Sequence, residues 1–260
     1  TLMEDGRGLS DLLQGVTLEI FGEGRSPGPY YEDGKLVSFG DAMSKLEESG
    51  VSMNIASFLG AATTRILGVG YENRDATDSE MKKMKEIVRK SMEEGAMGIG
   101  SSLIYAPGDY ASTQELIELS KSASEYGGMY ISHLRSEGAK LLEALDELIT
   151  ISREADIPAE IYHLKASREP NWPKLDEVIS IVEDARAEGL QITADIYTYN
   201  ASSTGLTGVI PTWVQEGGHD AWIKRMKDPS VRPRLLNDIR EQLAEQPPEG
   251  ILMVRFNTPE

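Results

Sequence analysis

The chain has 260 residues, of which 40% are hydrophobic and 27% charged, enough to bury one substantial core. Its 43 acidic and 26 basic residues give a formal charge of −17, which argues against nucleic acid or an anionic membrane as its partner. Cysteine is absent, so disulfides, thiolate zinc sites and a cysteine nucleophile are excluded, in keeping with a cytoplasmic setting, and no apolar run approaches the roughly 20 residues that span a bilayer.

In chain order, residues 15–22 read as a buried strand bounded by glycines, running into a Gly/Pro-rich loop at 23–29. Residues 41–49 form a short helix and 51–60 a second strand. Thr77-Asp-Ser-Glu80 is a capping-box signature opening a long amphipathic helix, with Met81, Met84, Ile87, Val88 and Met92 inward and Gly95 at its end. A third strand covers 96–101, and Ser112-Thr-Gln-Glu115 starts the next helix, which stops at Gly127-Gly128.

Two matching segments follow. The first, Gly-Gly-Met-Tyr-Ile-Ser-His133-Leu-Arg, and the second, Ile-Pro-Ala-Glu-Ile-Tyr-His163-Leu-Lys, each end a strand in His-Leu and a basic residue. Between them Leu141, Leu142, Ala144, Leu145, Leu148, Ile149 and Ile151 recur at helical spacing. A helix over 174–188, a sixth strand over 190–199, patchy helix over 213–244 and a seventh apolar run at 251–256 complete the chain.

Strands about 30 residues apart, each followed by a capped helix, predict repeated βα units and a parallel sheet. No glycine-rich dinucleotide fingerprint follows the first strand. The candidate functional groups Glu23, Tyr105, His133, His163 and Tyr197 instead fall at the C-terminal ends of several strands, which a barrel gathers around one mouth. The expectation is therefore a (β/α)8 TIM barrel, with about seven of its strands in this chain and residues 1–260 forming one domain.

Two imidazoles at equivalent positions of neighbouring strands point to a metal site, since zinc takes histidine and carboxylate ligands. Glu23, a charged residue between two glycines at a strand end, is a further candidate. Lys165 lies two positions after His163, on the same face of an extended chain, and Arg135 has the same offset from His133. Either cation would suit a substrate carboxylate; the competing reading is an ion pair with Glu137 or Glu160. Tyr105 is a hydroxyl donor or a packing aromatic, and His219, at a turn before a helix, reads as a surface or capping residue.

Several stretches together resemble the D-aminoacylase (N-acyl-D-amino-acid deacylase) family of metal-dependent amidohydrolases. They are Gln14-Gly-Val-Thr17, Phe21-Gly-Glu-Gly-Arg-Ser26, the segment from Gly95 to Gly108, Tyr130-Ile-Ser-His-Leu-Arg-Ser-Glu-Gly138, Ile161-Tyr-His-Leu-Lys165 and Asp195-Ile-Tyr-Thr-Tyr199. The resemblance implies hydrolysis of an amide bond beside a free carboxylate in a small-molecule substrate, with one or two Zn2+ ions. It matches His133 and His163 to zinc ligands and Glu23 to a position where many members carry a bridging cysteine. It matches Tyr105, Lys165 and Tyr197 to residues that hold the substrate carboxylate. The family's His-x-His, expected before Gly15, is not present. Its general-base aspartate is expected beyond residue 260, so no residue here is assigned that role, and its flanking β-sandwich is not represented. A catalytically incomplete barrel, or an isoaspartyl dipeptidase- or dihydroorotase-like relative, are the alternatives. Asp195 is expected to be structural.

Overall fold

The computed structural model describes residue 2, residues 5–245 and residues 248–254. Two compact units are formed, Thr1–Tyr199 and Asn200–Glu260.

In the first unit a short helix α1 (Leu9–Leu12) precedes strand β1 (Leu18–Phe21). A hairpin of β2 (Tyr30–Glu32) and β3 (Lys35–Val37) follows, and then α2 (Phe39–Glu48). The expected second strand is interrupted at Phe58, giving β4 (Asn54–Ser57) and β5 (Leu59–Gly60). Thereafter helices and strands alternate: α3 (Ala61–Gly68), α4 (Asp78–Glu93), β6 (Gly98–Ser102), α5 (Thr113–Ser124), β7 (Met129–His133), α6 (Leu141–Ala155), β8 (Ala159–Ile161), α7 (Leu175–Ala187) and β9 (Ile192–Ala194).

Apart from the antiparallel β2–β3 hairpin, the strands are parallel and lie in sequence order. β1 pairs with β4, and β5, β6, β7, β8 and β9 form one sheet. The main-chain N–H of Met97 donates to the Ser57 carbonyl (3.0 Å), carrying the β4 side of the break onto the β6 strand. Successive helices pack side by side, α3 on α4, α4 on α5, α5 on α6 and α6 on α7. Sequential strand order without a reversal, flanked by a single sequential layer of helices, is barrel topology and not a doubly wound sheet with a switch point. The chain is thus an incomplete (β/α)8 barrel. Among the described residues six parallel strand positions are formed; of the expected seventh run, 251–256, residues 251–254 make no strand and 255 and 256 lie outside the described residues.

Local chemistry explains the elements. The Thr77 hydroxyl accepts the Glu80 N–H (3.3 Å) while the Glu80 carboxylate accepts the Thr77 N–H (2.8 Å), so the expected capping box is complete. Met84 and Val88 are buried, with Met81, Ile87 and Met92 packed partly buried against the same core. β6 is buried along its whole length and β7 along all but its first residue, as strands covered on both faces must be. The outermost strands differ: Leu18 and Ile20 of β1 are about half exposed, and Thr193 and Ala194 of β9 are exposed.

In the second unit α8 (His219–Lys227) and α9 (Arg232–Glu245) are joined around Trp213, whose indole N–H donates to Asp238 (2.8 Å) and whose ring lies under Arg234 (3.9 Å). His219 opens α8 with its side chain exposed, consistent with a surface role. Among the described residues, no helix is long and apolar enough to cross a membrane.

Candidate metal centre

Three strand ends deliver three ligand atoms to one point. Glu23 follows β1 between Gly22 (φ +106°) and Gly24 (φ +70°). A Cβ on Gly22 would lie 2.2 Å from the Phe58 carbonyl oxygen, and one on Gly24 would lie 2.7 Å from Ser102 Cβ. Only glycine permits both the left-handed backbone and this close crossing, which carries Glu23 over the ends of β5 and β6.

His133 is the last residue of β7, in register with Ser102, and its carbonyl accepts the Leu103 N–H (3.1 Å). His163 lies two residues beyond β8 with φ +41°. Its main-chain N–H donates to the Asp195 carboxylate, and the Leu164 N–H donates to the Asp195 carbonyl (2.9 Å). Asp195 thus holds the histidine turn in place, the structural role expected of it. The turn also corrects the reason given for Lys165. Residues 163–165 are not extended, and Lys165 reaches the site because the chain folds back, placing Nζ 2.7 Å from both the His163 carbonyl and Nδ1.

His133 Nδ1 is 2.9 Å from His163 Nε2 and 3.1 Å from Glu23 Oε1, and His163 Nε2 is 3.5 Å from the same oxygen. The two imidazoles meet edge to face at 84°, centroids 4.4 Å apart. Among the described residues these are the one set of three such donors that converges. Tetrahedral zinc with bonds of about 2.0–2.1 Å sets its ligand atoms roughly 3.3 Å apart. The observed 2.9, 3.1 and 3.5 Å bracket that spacing. Two nitrogens and one oxygen are a donor set suited to zinc, so the residues fit the ion the sequence implies.

Glu137 completes the cluster and was not singled out as a site residue from the sequence. Its Oε1 is 3.0 Å from His163 Nδ1 and 2.5 Å from Lys165 Nζ, and 3.8 Å from His133 Nε2, a buried atom without a hydrogen-bond partner. Its one sequence signal is its appearance as a possible ion-pair partner for the two basic residues, and Lys165 does take it. Burial raises the Glu23 carboxyl, but hydrogen bonds from His133 and His163 outweigh it and hold the group down at about 2. Burial lowers the His163 imidazole, while hydrogen bonds to Glu137 and Glu23 raise it to about 9. Glu137 is lowered: hydrogen bonds from His163 and Lys165 outweigh its burial.

Of the remaining candidates, Tyr105 lies 5.9 Å from the His133 ring and Tyr197 6.1 Å from the His163 ring, with Lys165 Nζ 5.2 Å above Tyr197. Both tyrosines therefore border the metal position. Arg135 is not brought to the site. Its guanidinium forms a fork with the Glu147 carboxylate (2.8 Å at each oxygen) and donates to the carbonyls of Asp109 (2.8 Å) and Ala111 (2.9 Å). Glu147 sits on α6, where neither of the partners weighed in the sequence lies.

Parallel βα units here aim two imidazoles and a carboxylate from their strand ends into one mouth, the layout of a metal site at the C-terminal face of a barrel. Comparison with known proteins narrows this further. No family model matches the chain. It is 34% identical over 168 residues to the D-aminoacylase of Alcaligenes xylosoxydans xylosoxydans, an alignment covering 65% of this chain and 34% of that protein. A solved D-aminoacylase studied for the role of its binuclear metal centre is 26% identical with a TM-score of 0.73, covering 95% of this chain and 60% of that one. An N-acyl-D-glutamate deacylase of Bordetella bronchiseptica, complexed with zinc and a phosphonate inhibitor, shares the fold at 24% identity and a TM-score of 0.69, over 76% of this chain and 45% of that one. Sequence and fold together relate the chain to the D-aminoacylase family of amidohydrolases. The chain spans about a third of the length of the curated relatives it matches.

Proposed function

We propose that this chain carries the metal- and carboxylate-binding part of a zinc-dependent hydrolase of N-acyl-D-amino acids or of dipeptides with a D-residue. The observation that carries the reading is the convergence of Glu23 Oε1, His133 Nδ1 and His163 Nε2 within 3.5 Å of one another. Zinc held by these three groups supplies Lewis acidity toward the scissile carbonyl and toward water.

The chain's own residues do the positioning. Lys165 offers a cation and Tyr197 a neighbouring hydroxyl, a pairing suited to a substrate carboxylate. Lys165 would exchange its partner Glu137 for that carboxylate on binding, which fixes the substrate's charged end beside His163. Tyr105, whose ring centroid lies 5.9 Å from that of His133, would offer a further hydroxyl to the same carboxylate. The partner is thus a small carboxylate-bearing amide, and the cysteine-free composition leads us to place the protein in the cytoplasm.

The test is a panel of N-acyl-D-amino acids, their L-enantiomers and D-residue dipeptides, assayed with the full-length protein in zinc-loaded and chelator-treated forms. Zinc-dependent release of a free D-amino acid is expected. Turnover that survives complete metal removal, or none on any D-substrate with zinc bound, overturns the reading.

A further inference from the structure

His163 can bind metal through Nε2 only if its ring proton sits on Nδ1. Two groups compete for that Nδ1. Glu137 Oε1, at 3.0 Å, accepts a proton from it; Lys165 Nζ, at 2.7 Å, can only donate to it. A ring that accepts from Lys165 is forced into the opposite tautomer, with its proton on Nε2, aimed at Glu23 and His133 Nδ1 and so into the metal position. The two competitors also touch each other at 2.5 Å, so Glu137 draws the ammonium toward itself at the same time as it accepts from the imidazole. Ser167 donates to the second Glu137 oxygen (3.3 Å), leaving Oε1 turned toward His163 and Lys165.

We propose that Glu137 is a positioning residue that selects the metal-binding tautomer of His163 against the pull of Lys165. The inference rests on the zinc reading of Glu23, His133 and His163. It assigns to Glu137 a role that neither the sequence motif nor the set of three ligands contains. It also ties the carboxylate anchor to the metal site: the lysine that suits the substrate is the group that would disable the histidine if left unopposed.

Zinc affinity, read by competition with a chromophoric chelator, tests it without reference to activity. In Glu137→Ala the dissociation constant should rise about 10–100-fold, the range for lost carboxylate support of a ligating histidine. Adding Lys165→Met to Glu137→Ala should recover much of that loss, because the competing donor is gone. Glu137→Gln, which keeps an acceptor oxygen but no charge, should lie closer to wild type than to Glu137→Ala. In parallel, 15N shifts of the His163 ring in metal-free protein at alkaline pH should move toward the Nε2–H form in Glu137→Ala. Unchanged affinity in Glu137→Ala, no recovery with Lys165→Met, or a Glu137→Gln loss as large as that of Glu137→Ala overturns the tautomer role. Wild-type protein that takes up no zinc overturns the metal reading itself, a separate result.

Discussion

Two buried charged clusters sit in the barrel unit, and they are built on opposite rules. In one, Arg65 of α3 meets Glu115 of α5, with side chains only 1% and 3% exposed. The guanidinium donates to the Glu115 carboxylate and to the carbonyls of Glu72 (3.1 Å) and Arg74 (2.5 Å). Each of these three donations meets an acceptor, although Arg65 Nε and Glu115 Oε1 are buried without a hydrogen-bond partner. In the other cluster three atoms that can each ligate converge: Glu23 Oε1, His133 Nδ1 and His163 Nε2 lie within 3.5 Å of one another, and without a metal it is protons on the imidazoles that hold them together. The first arrangement pairs its opposite charges within the protein. The second can offer its lone pairs to a cation once those protons are displaced, so a buried carboxylate serves as a strut in one place and as a candidate ligand in the other.

Breaking the strut should give the largest change in stability. Arg65→Met leaves Glu115 charged, buried and unpaired, and should destabilise the fold by about 3–5 kcal/mol. The midpoint of urea unfolding checks this; a shift worth less than about 1 kcal/mol would mean water reaches Glu115. The ligand cluster should respond the other way round. Structural zinc binding of about 10–16 kcal/mol spread over four ligands is roughly 3 kcal/mol each, on the order of 100-fold in affinity. His133→Ala should therefore weaken zinc binding by about that factor, measured by metal competition. It should lower metal-free stability far less than the strut variant does, by about the 0.5–1.5 kcal/mol of one hydrogen bond, because only the contacts of its Nδ1 with Glu23 and His163 are removed. A His133→Ala protein that keeps its zinc would remove this residue from the ligand set.

The strut and the ligand cluster also differ in how far the sequence disclosed them. The βα alternation, the Thr77–Glu80 capping box and the paired histidine strands were all legible, because helix and strand periods and cap chemistry are local. The histidines were legible as candidate ligands because their repeat put them at equivalent strand ends, and the fold brings the two rings together. Glu115 was read only as part of a helix start. Ser112 does accept the Glu115 N–H (3.2 Å), but the carboxylate turns away to Arg65, fifty residues upstream. Glu137 and the Arg135–Glu147 fork were hidden for the same reason, since their partners meet only once the strand ends gather and α6 packs. β8 is shorter than its apolar pattern suggested: it ends at Ile161, and the left-handed turn at His163 depends on a carboxylate on the next βα unit.

Acidity should act on the ligand cluster before it reaches the strut. With His163 raised to about 9, the metal-free ring is protonated below that pH, and zinc must displace the proton. Apparent zinc affinity should therefore fall about tenfold for each pH unit below about 9, with close to one proton released per ion. Calorimetry in buffers of different ionisation enthalpy measures the count. No proton release at pH 7 would mean that His163 is already neutral without the metal.

The smallest effect expected is also the sharpest test of the contrast. Arg65→Met with Glu115→Leu removes both charges of the strut together and fills the space with apolar groups. Paired buried ions can be exchanged for hydrophobic residues with little loss, while single removal is costly. The carbonyls of Glu72 and Arg74 lose a donor, but both residues are exposed, so water can replace it. The double variant should lie within about 1–2 kcal/mol of wild type by urea unfolding, well above Arg65→Met alone. No comparable apolar swap is expected for His133 and His163, because on the proposed reading their partner is an ion and not each other. If the double variant is as unstable as the single one, the guanidinium's grip on the 72–74 loop, and not its charge balance with Glu115, is what the strut provides.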